Sequence, residues 1–178
     1  DPAGRTIRMR IPWLLLNLGT AVLASSVVKL FEDTIAQLVV LAVLMPIVAG
    51  MGGNSATQTI TVVVRALALG ELNSKNARWV LMKEALVGLT SGFLTGVVAG
   101  LAAYLLGAKA VVGLILALAM VANMIIAGLI GSLIPLILKR FKIDPAIASS
   151  IFVTTATDIC GFFTFLGLAA LFMKMGFL

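Results

Sequence analysis

The sequence predicts an all-helical membrane bundle with five spans per chain. Three observations carry that prediction. The 178 residues are 61% hydrophobic and only 11% charged, with a mean hydropathy of +1.17. A soluble domain carries about 25% charged residues, and a disordered chain needs low hydrophobicity and high net charge, so both classes are excluded. The charged residues also cut the chain into five long apolar runs, each near or above the ~20 residues that cross a bilayer as helix. Finally, the runs do not alternate with period two, as the roughly 10-residue strands of a membrane barrel would.

The first predicted span runs from Ile11 to Val28, between Arg10 and Lys29. The polar stretch Lys29 to Asp33 reads as a turn or helix start. The second span, Ile35 to Val64, carries Pro46 and then Gly50, Met51, Gly52 and Gly53, residues expected to loosen or interrupt a helix in mid-membrane. The third runs from Val80 to Gly107 and contains Gly88, Gly92, Gly96 and Gly100 at a strict period of four. Residues four apart share a face, so this is a groove for close approach of another helix, with a pore lining as the other reading. The fourth, Ala110 to Leu138, lies between Lys109 and Lys139, and the fifth, Ala146 to Met173, follows Pro145 and ends at Lys174. Runs this long are expected to tilt, kink or project into water.

Basic residues predict the topology. Ten Lys and Arg fall on the side that holds the N-terminal segment (Arg5, Arg8, Arg10), the connection between the second and third spans (Arg65, Lys75, Arg78, Lys83), and that between the fourth and fifth (Lys139, Arg140, Lys142). Only Lys29, Lys109 and Lys174 fall on the other. The positive-inside rule then puts the N-terminus in the cytoplasm and, after five crossings, the C-terminus outside. The expected location is the inner cell membrane, as a multi-pass protein. The chain opens on Asp1-Pro2 without a signal-peptide pattern, so it is expected to be a piece of a longer protein, with anything upstream in the cytoplasm.

Composition removes much chemistry. With no His and a single Cys, Cys160, imidazole ligands, His bases, intrachain disulfides and thiolate-zinc sites are excluded. The net charge of +6 comes from scattered residues rather than one basic face, which argues against nucleic acid. No Lys follows the glycines of the second span, so a P-loop is dismissed.

Polar residues at membrane depth are the remaining candidates. Asn54, Ser55, Thr57, Gln58, Thr59 and Thr61 crowd the second span after its glycines. Such a cluster is tolerated where it is buried in protein or lines a wet cavity. Hydroxyls bonding back to their own helix explain Thr59 and Thr61; Asn54 and Gln58, four apart on one face, fit that explanation less well. Asn123, in the fourth span, is expected to make an interhelical hydrogen bond or to meet a hydrated substrate. Asp1, Glu32, Asp33, Glu71, Glu84 and Asp144 fall at span ends or in connections, where solvation explains them. Asp158 does not: it lies about twelve residues, or ~18 Å of helix, into the fifth span. A charge there costs several kcal/mol on the lowest scales and marks a protein interior or a wet pathway. A protonated Asp donating a hydrogen bond is one reading; a mobile cation as its counter-charge is the other. In a symmetric dimer two Asp158 side chains would match Mg²⁺, Mn²⁺ or Ca²⁺. Oxygen-only surroundings favour hard cations, and sparse ligation with retained water suits Mg²⁺ best.

The runs Pro46 to Arg65, PIVAGMGGNSATQTITVVVR, and Pro135 to Asp158, PLILKRFKIDPAIASSIFVTTATD, closely resemble signature segments of the MgtE family of magnesium channels. The resemblance covers nearly the whole chain, with five spans and the asparagine of the fourth. It implies a homodimer whose pore lies on the dimer axis, lined by the second and fifth helices, with Asp158 binding a largely hydrated Mg²⁺. It implies that Asn54 faces the pore, that the carbonyl of Thr154 is a further contact through water, and that Asp144 sits near the cytoplasmic mouth. Mn²⁺, Co²⁺ or Ca²⁺ are further candidate ions. Two departures stand against the pattern. Ser150-Ile151 replaces the small or amide residue and proline that commonly follow Ser149, which puts the helix start near the selectivity region in doubt. The cytoplasmic acidic domain and paired CBS modules expected ahead of the membrane part are not among these 178 residues, so gating is not inferred.

The expected function is passive entry of hydrated Mg²⁺ into the cell, not an enzymatic reaction. A Na⁺- or H⁺-coupled exchanger is the alternative, although five spans do not divide into inverted repeats. An intramembrane aspartyl enzyme would need two carboxylates at depth, and a purely structural subunit leaves Asp158 and Asn54 unexplained.

Overall fold

The computed structural model describes the backbone of residues 3–72 and 76–178, and the side chains of all of these but 146–149. Asp1 and Lys75, counted above among the charges at the aqueous edges, lie outside the described residues. Six helices follow one another: α1 (Ala3–Leu30), α2 (Glu32–Gln37), α3 (Val40–Ala68), α4 (Ala77–Leu105), α5 (Ala110–Arg140) and α6 (Pro145–Lys174). All but the short α2 are long and apolar enough to cross a membrane. At 28 to 31 residues they reach about 42–46 Å, well beyond the ~30 Å hydrocarbon core.

The second predicted span differs from the structure in two ways. It begins at Val40 rather than Ile35, because the turn at Leu38 and Val39 separates α2 from α3. It is also uninterrupted: α3 runs as one helix through Pro46 and all three glycines. Proline removes one backbone donor, which a helix with only six residues before it tolerates. Gly52 serves packing instead, as described below.

α5 is the central helix and α1 the outermost. Half of the most apolar stretch of α5 is buried, against 6% for α1, whose one buried residue is Ala24. α4 lies on α5 through the face that bears the glycine period. A methyl group on Gly92 would stand 2.8 Å from Val121 Cα, one on Gly96 2.8 Å from the Ala117 carbonyl oxygen, and one on Gly100 2.7 Å from that of Gly113. At Gly88 it would overlap the Met124 carbonyl oxygen. The predicted groove is thus a helix–helix seam, and its backbones approach as closely as small residues permit.

Apolar clusters identify the two ends of the bundle. At one, Leu41, Leu44, Ala103, Val112 and Phe165 pack together with Val28, Phe31 and Phe172. At the other, Val63, Leu67 and Leu72 meet Val80 and Leu136. The second end carries Arg65, Arg78, Lys139 and Arg140, and Lys139 Nζ there donates to the Leu67 carbonyl at the C-terminus of α3, 3.2 Å away, where a cation is favoured by the helix dipole.

Candidate cation site

The two polar residues singled out deepest in the bundle have opposite surroundings. Asn123 on α5 is 1% exposed, held between Gly52 of α3 and Gly161 of α6. A methyl group on Gly161 would stand 2.7 Å from Asn123 Nδ2, and one on Gly52 would overlap it. Nδ2 donates to the Val48 carbonyl at 2.9 Å, which fulfils the interhelical alternative. Oδ1 is buried with no partner. Three helices are therefore pinned at one amide, and the glycines on either side are what let it fit.

Asp158 stands near the midpoint of α6, three residues before Gly161. Among its described residues, that helix buries Val153, Thr157, Gly161, Phe165, Leu166 and Ala169. Asp158 follows Thr157 by one residue, about 100° around the helix, and is half-buried. No Lys or Arg pairs with it among the described residues. Thr154, one turn earlier, is exposed, and its carbonyl accepts a 3.0 Å hydrogen bond from Thr157 Oγ1. Inside α6 the same carbonyl is also the helical acceptor for the N–H of Asp158. Asp144 is exposed in the connection just before Pro145, at the basic end of the bundle.

On α3, Asn54, Thr57, Gln58 and Thr61 are exposed, so this chain alone leaves a polar strip uncovered at the depth of apolar neighbours. Thr57 donates to the Gly53 carbonyl and Thr61 to that of Thr57, both at 2.8 Å. Their protons are spent on their own helix, and their oxygen lone pairs face outward as acceptors. Thr61 thus behaves as expected; Thr59 does not. It is buried, and its hydroxyl crosses to Glu84 Oε2 on α4 at 3.0 Å.

Glu84 corrects a second expectation. Placed by sequence at a solvated span end, it is 8% exposed, about two turns into α4. Two α5 glycines seat the pair. Gly128 lies against the backbone of Glu84, and a methyl group on Gly131 would stand 3.0 Å from Thr59 Cβ. A signal existed: Glu84 lies four residues before Gly88 and so continues the period of Gly88, Gly92, Gly96 and Gly100 onto the same buried face.

A cleft of about 470 Å³ opens beside this pair between α3 and α4, floored by Met124 of α5; Asn54, Ser55 and Gln58 line it from α3 and Glu84, Ser91 and Thr95 from α4. Neither Asp158 nor Thr154 lines it. Asn54 is thus brought together with Glu84 rather than with Asp158 within one chain. Among the described residues no three carboxylate or thiol groups gather as a metal cage, so the donor set available is single carboxylates with neutral oxygens. That suits a cation that keeps much of its water.

Residues 45–168 match the family model MgtE, described as a divalent cation transporter. The chain is 35% identical over 164 residues to the magnesium transporter MgtE of Bacillus subtilis (strain 168), covering 92% of this chain and 36% of that protein. It is 30% identical over 165 residues to the proteins of the same name from Enterococcus faecalis and Thermus thermophilus, covering 93% of this chain and 36% of each. The chain therefore spans little more than a third of the length of the relatives it matches.

Proposed function

The chain belongs to the MgtE family of divalent cation transporters, and on that premise we propose that it forms the membrane pathway of a Mg²⁺ transporter, working as a homodimer in the inner cell membrane. The observation that carries the proposal is Asp158: a half-buried carboxylate at the middle of a spanning helix, with no cationic partner among the described residues. A charge so placed is stabilised by a cation that comes and goes. The uncovered strip of Asn54, Thr57 and Thr61 on α3 supports a second copy of the chain as its cover. Two copies meeting along α3 and α6 enclose an axial pore, in which the paired Asp158 groups supply a charge of −2. Thr154 contributes its carbonyl through water, Asn54 its amide, and Asp144 a negative charge at the mouth.

In this reading Mg²⁺ passes largely hydrated, and Mn²⁺, Co²⁺ or Ca²⁺ compete for the same oxygens. Few direct ligands keep the site weak enough to release its ion. With the basic end of the bundle in the cytoplasm, entry is driven by the membrane potential: a divalent ion gains about 4.6 kcal/mol on crossing 100 mV inward. Coupling to a second ion is not required energetically.

The test is reconstitution of the chain in liposomes with a Mg²⁺-sensitive dye inside. Wild-type vesicles should fill when a potential, negative inside, is imposed, and Asp158→Asn vesicles with equal protein content should match protein-free ones. Uptake by Asp158→Asn at the wild-type rate would sink the site assignment. Uptake that requires an opposing Na⁺ or H⁺ gradient would establish an exchanger instead.

A further inference from the structure

The cleft between α3 and α4 holds a buried carboxylate that the axial pathway does not use. Glu84 is an ionisable group enclosed two turns into α4, and among the described residues no Lys or Arg lies within ion-pair distance of it. Its one hydrogen bond comes from Thr59 Oγ1. The arrangement is built rather than incidental, since Gly128 and Gly131 of α5 let α4 and α3 approach closely at these two side chains.

The cleft is walled in part by Met51, Val62, Val87 and Met124, and the hydroxyls set among them act as acceptors. Ser91 Oγ donates to the Val87 carbonyl at 2.6 Å and Thr95 Oγ1 to that of Ser91 at 2.7 Å, while Thr59 gives its proton to Glu84. Three hydroxyls around the cleft have thus spent their donors and present oxygen lone pairs, a lining for cations or their hydration water rather than for anions. Lys83 also borders the cleft, but its ammonium stands 5.8 Å from the centre of the Trp79 ring, held there by cation–π attraction. Space is sufficient: six waters occupy on the order of 180 Å³ at liquid density, less than half of the 470 Å³ available.

We propose that this cleft is a second cation site, one per chain and off the dimer axis, in which Glu84 and the oxygens of Ser55, Gln58, Ser91 and Thr95 hold a hydrated divalent ion. Asn54 lines the cleft while lying on the uncovered strip of α3, so an ion here is adjacent to the pathway proposed above. The site itself does not depend on that pathway. It lies within one protomer and would persist were the Asp158 assignment wrong.

Mn²⁺ binding to the full chain in uncharged detergent, followed by electron paramagnetic resonance, tests the proposal separately from transport. Asp158→Asn should retain one saturable Mn²⁺ per chain, and Asp158→Asn with Glu84→Gln should retain none. Glutamine keeps an acceptor for Thr59, and an unchanged melting temperature checks that the fold survives. If it does not, Ser91→Leu in the Asp158→Asn background fills the cleft without touching Glu84, and it should abolish binding equally. Absence of saturable Mn²⁺ in Asp158→Asn overturns the second site, as does its persistence in folded Glu84→Gln or Ser91→Leu combinations. Failure of the Asp158 reading would appear in the vesicle assay and leave these outcomes legible.

Discussion

Asn123 and Asp158 are neighbours in the fold with opposite environments, and the contrast separates packing from chemistry at membrane depth. Gly161 of α6 lies against Asn123; three residues earlier the same helix carries Asp158. Gly52 and Gly161 stand on either side of Asn123, and the Val48 carbonyl accepts from its amide. The amide is closed in on all sides and ties α3, α5 and α6 together. Around Asp158 one side is left open, and no counter-charge from the described chain fills it. A polar group that the fold has enclosed stabilises the fold; one that it has left open at this depth must be balanced by something else.

Four measurements would break or sharpen that contrast. The largest effect expected is on transport by Asp158→Ala: Mg²⁺ uptake in transport-deficient cells should fall to background at unchanged membrane abundance, with the melting temperature little altered. Next is Gly161→Val, which drives a side chain into Asn123 and should cost a few kcal/mol of stability by overpacking, read as a lower melting temperature in thermal unfolding. The removal of the amide itself is milder. Asn123→Ala forfeits one interhelical hydrogen bond, worth about 1 kcal/mol in membranes, and should lower stability while leaving the ion preference of the surviving protein unchanged. A shift in preference would move Asn123 to the chemical side of the contrast. The smallest effect is graded. In the proposed dimer, protons would compete with the cation for two facing carboxylates, so Mg²⁺ affinity should decline steadily from mildly alkaline to mildly acidic pH. Affinity flat across that range would break the paired-carboxylate picture.

The Thr59–Glu84 pair shows where reading along the chain stops. Charged residues mark span ends because most charges are solvated, and by that rule Glu84 belonged with Lys83 outside the membrane. The rule works for Glu32, Asp33, Glu71 and Asp144, all exposed, but a residue two turns inside a helix is exposed or buried according to its face. The face was legible from Gly88 onward at a period of four, and extending it by one step would have placed Glu84 inside. Its partner was not legible. Thr59 had an acceptable acceptor in its own helix, as Thr57 and Thr61 do, and only the approach of α4 supplies a better one.

By itself the sequence determined the solvent, the number of spans, the grouping of basic residues at one end, the small-residue seam of α4 and the oddity of Asp158. Each of these follows from hydrophobicity or from helical periodicity, which are local properties of one strand of sequence. The tertiary structure alone decided that α3 continues through Pro46, that Gly52 and Gly161 are the two halves of one clamp, and that Thr59 meets Glu84 beside a cleft. Those outcomes depend on which helix lies against which face and at what height. A period of 3.6 residues states that side chains share a face, and it is silent on what stands opposite.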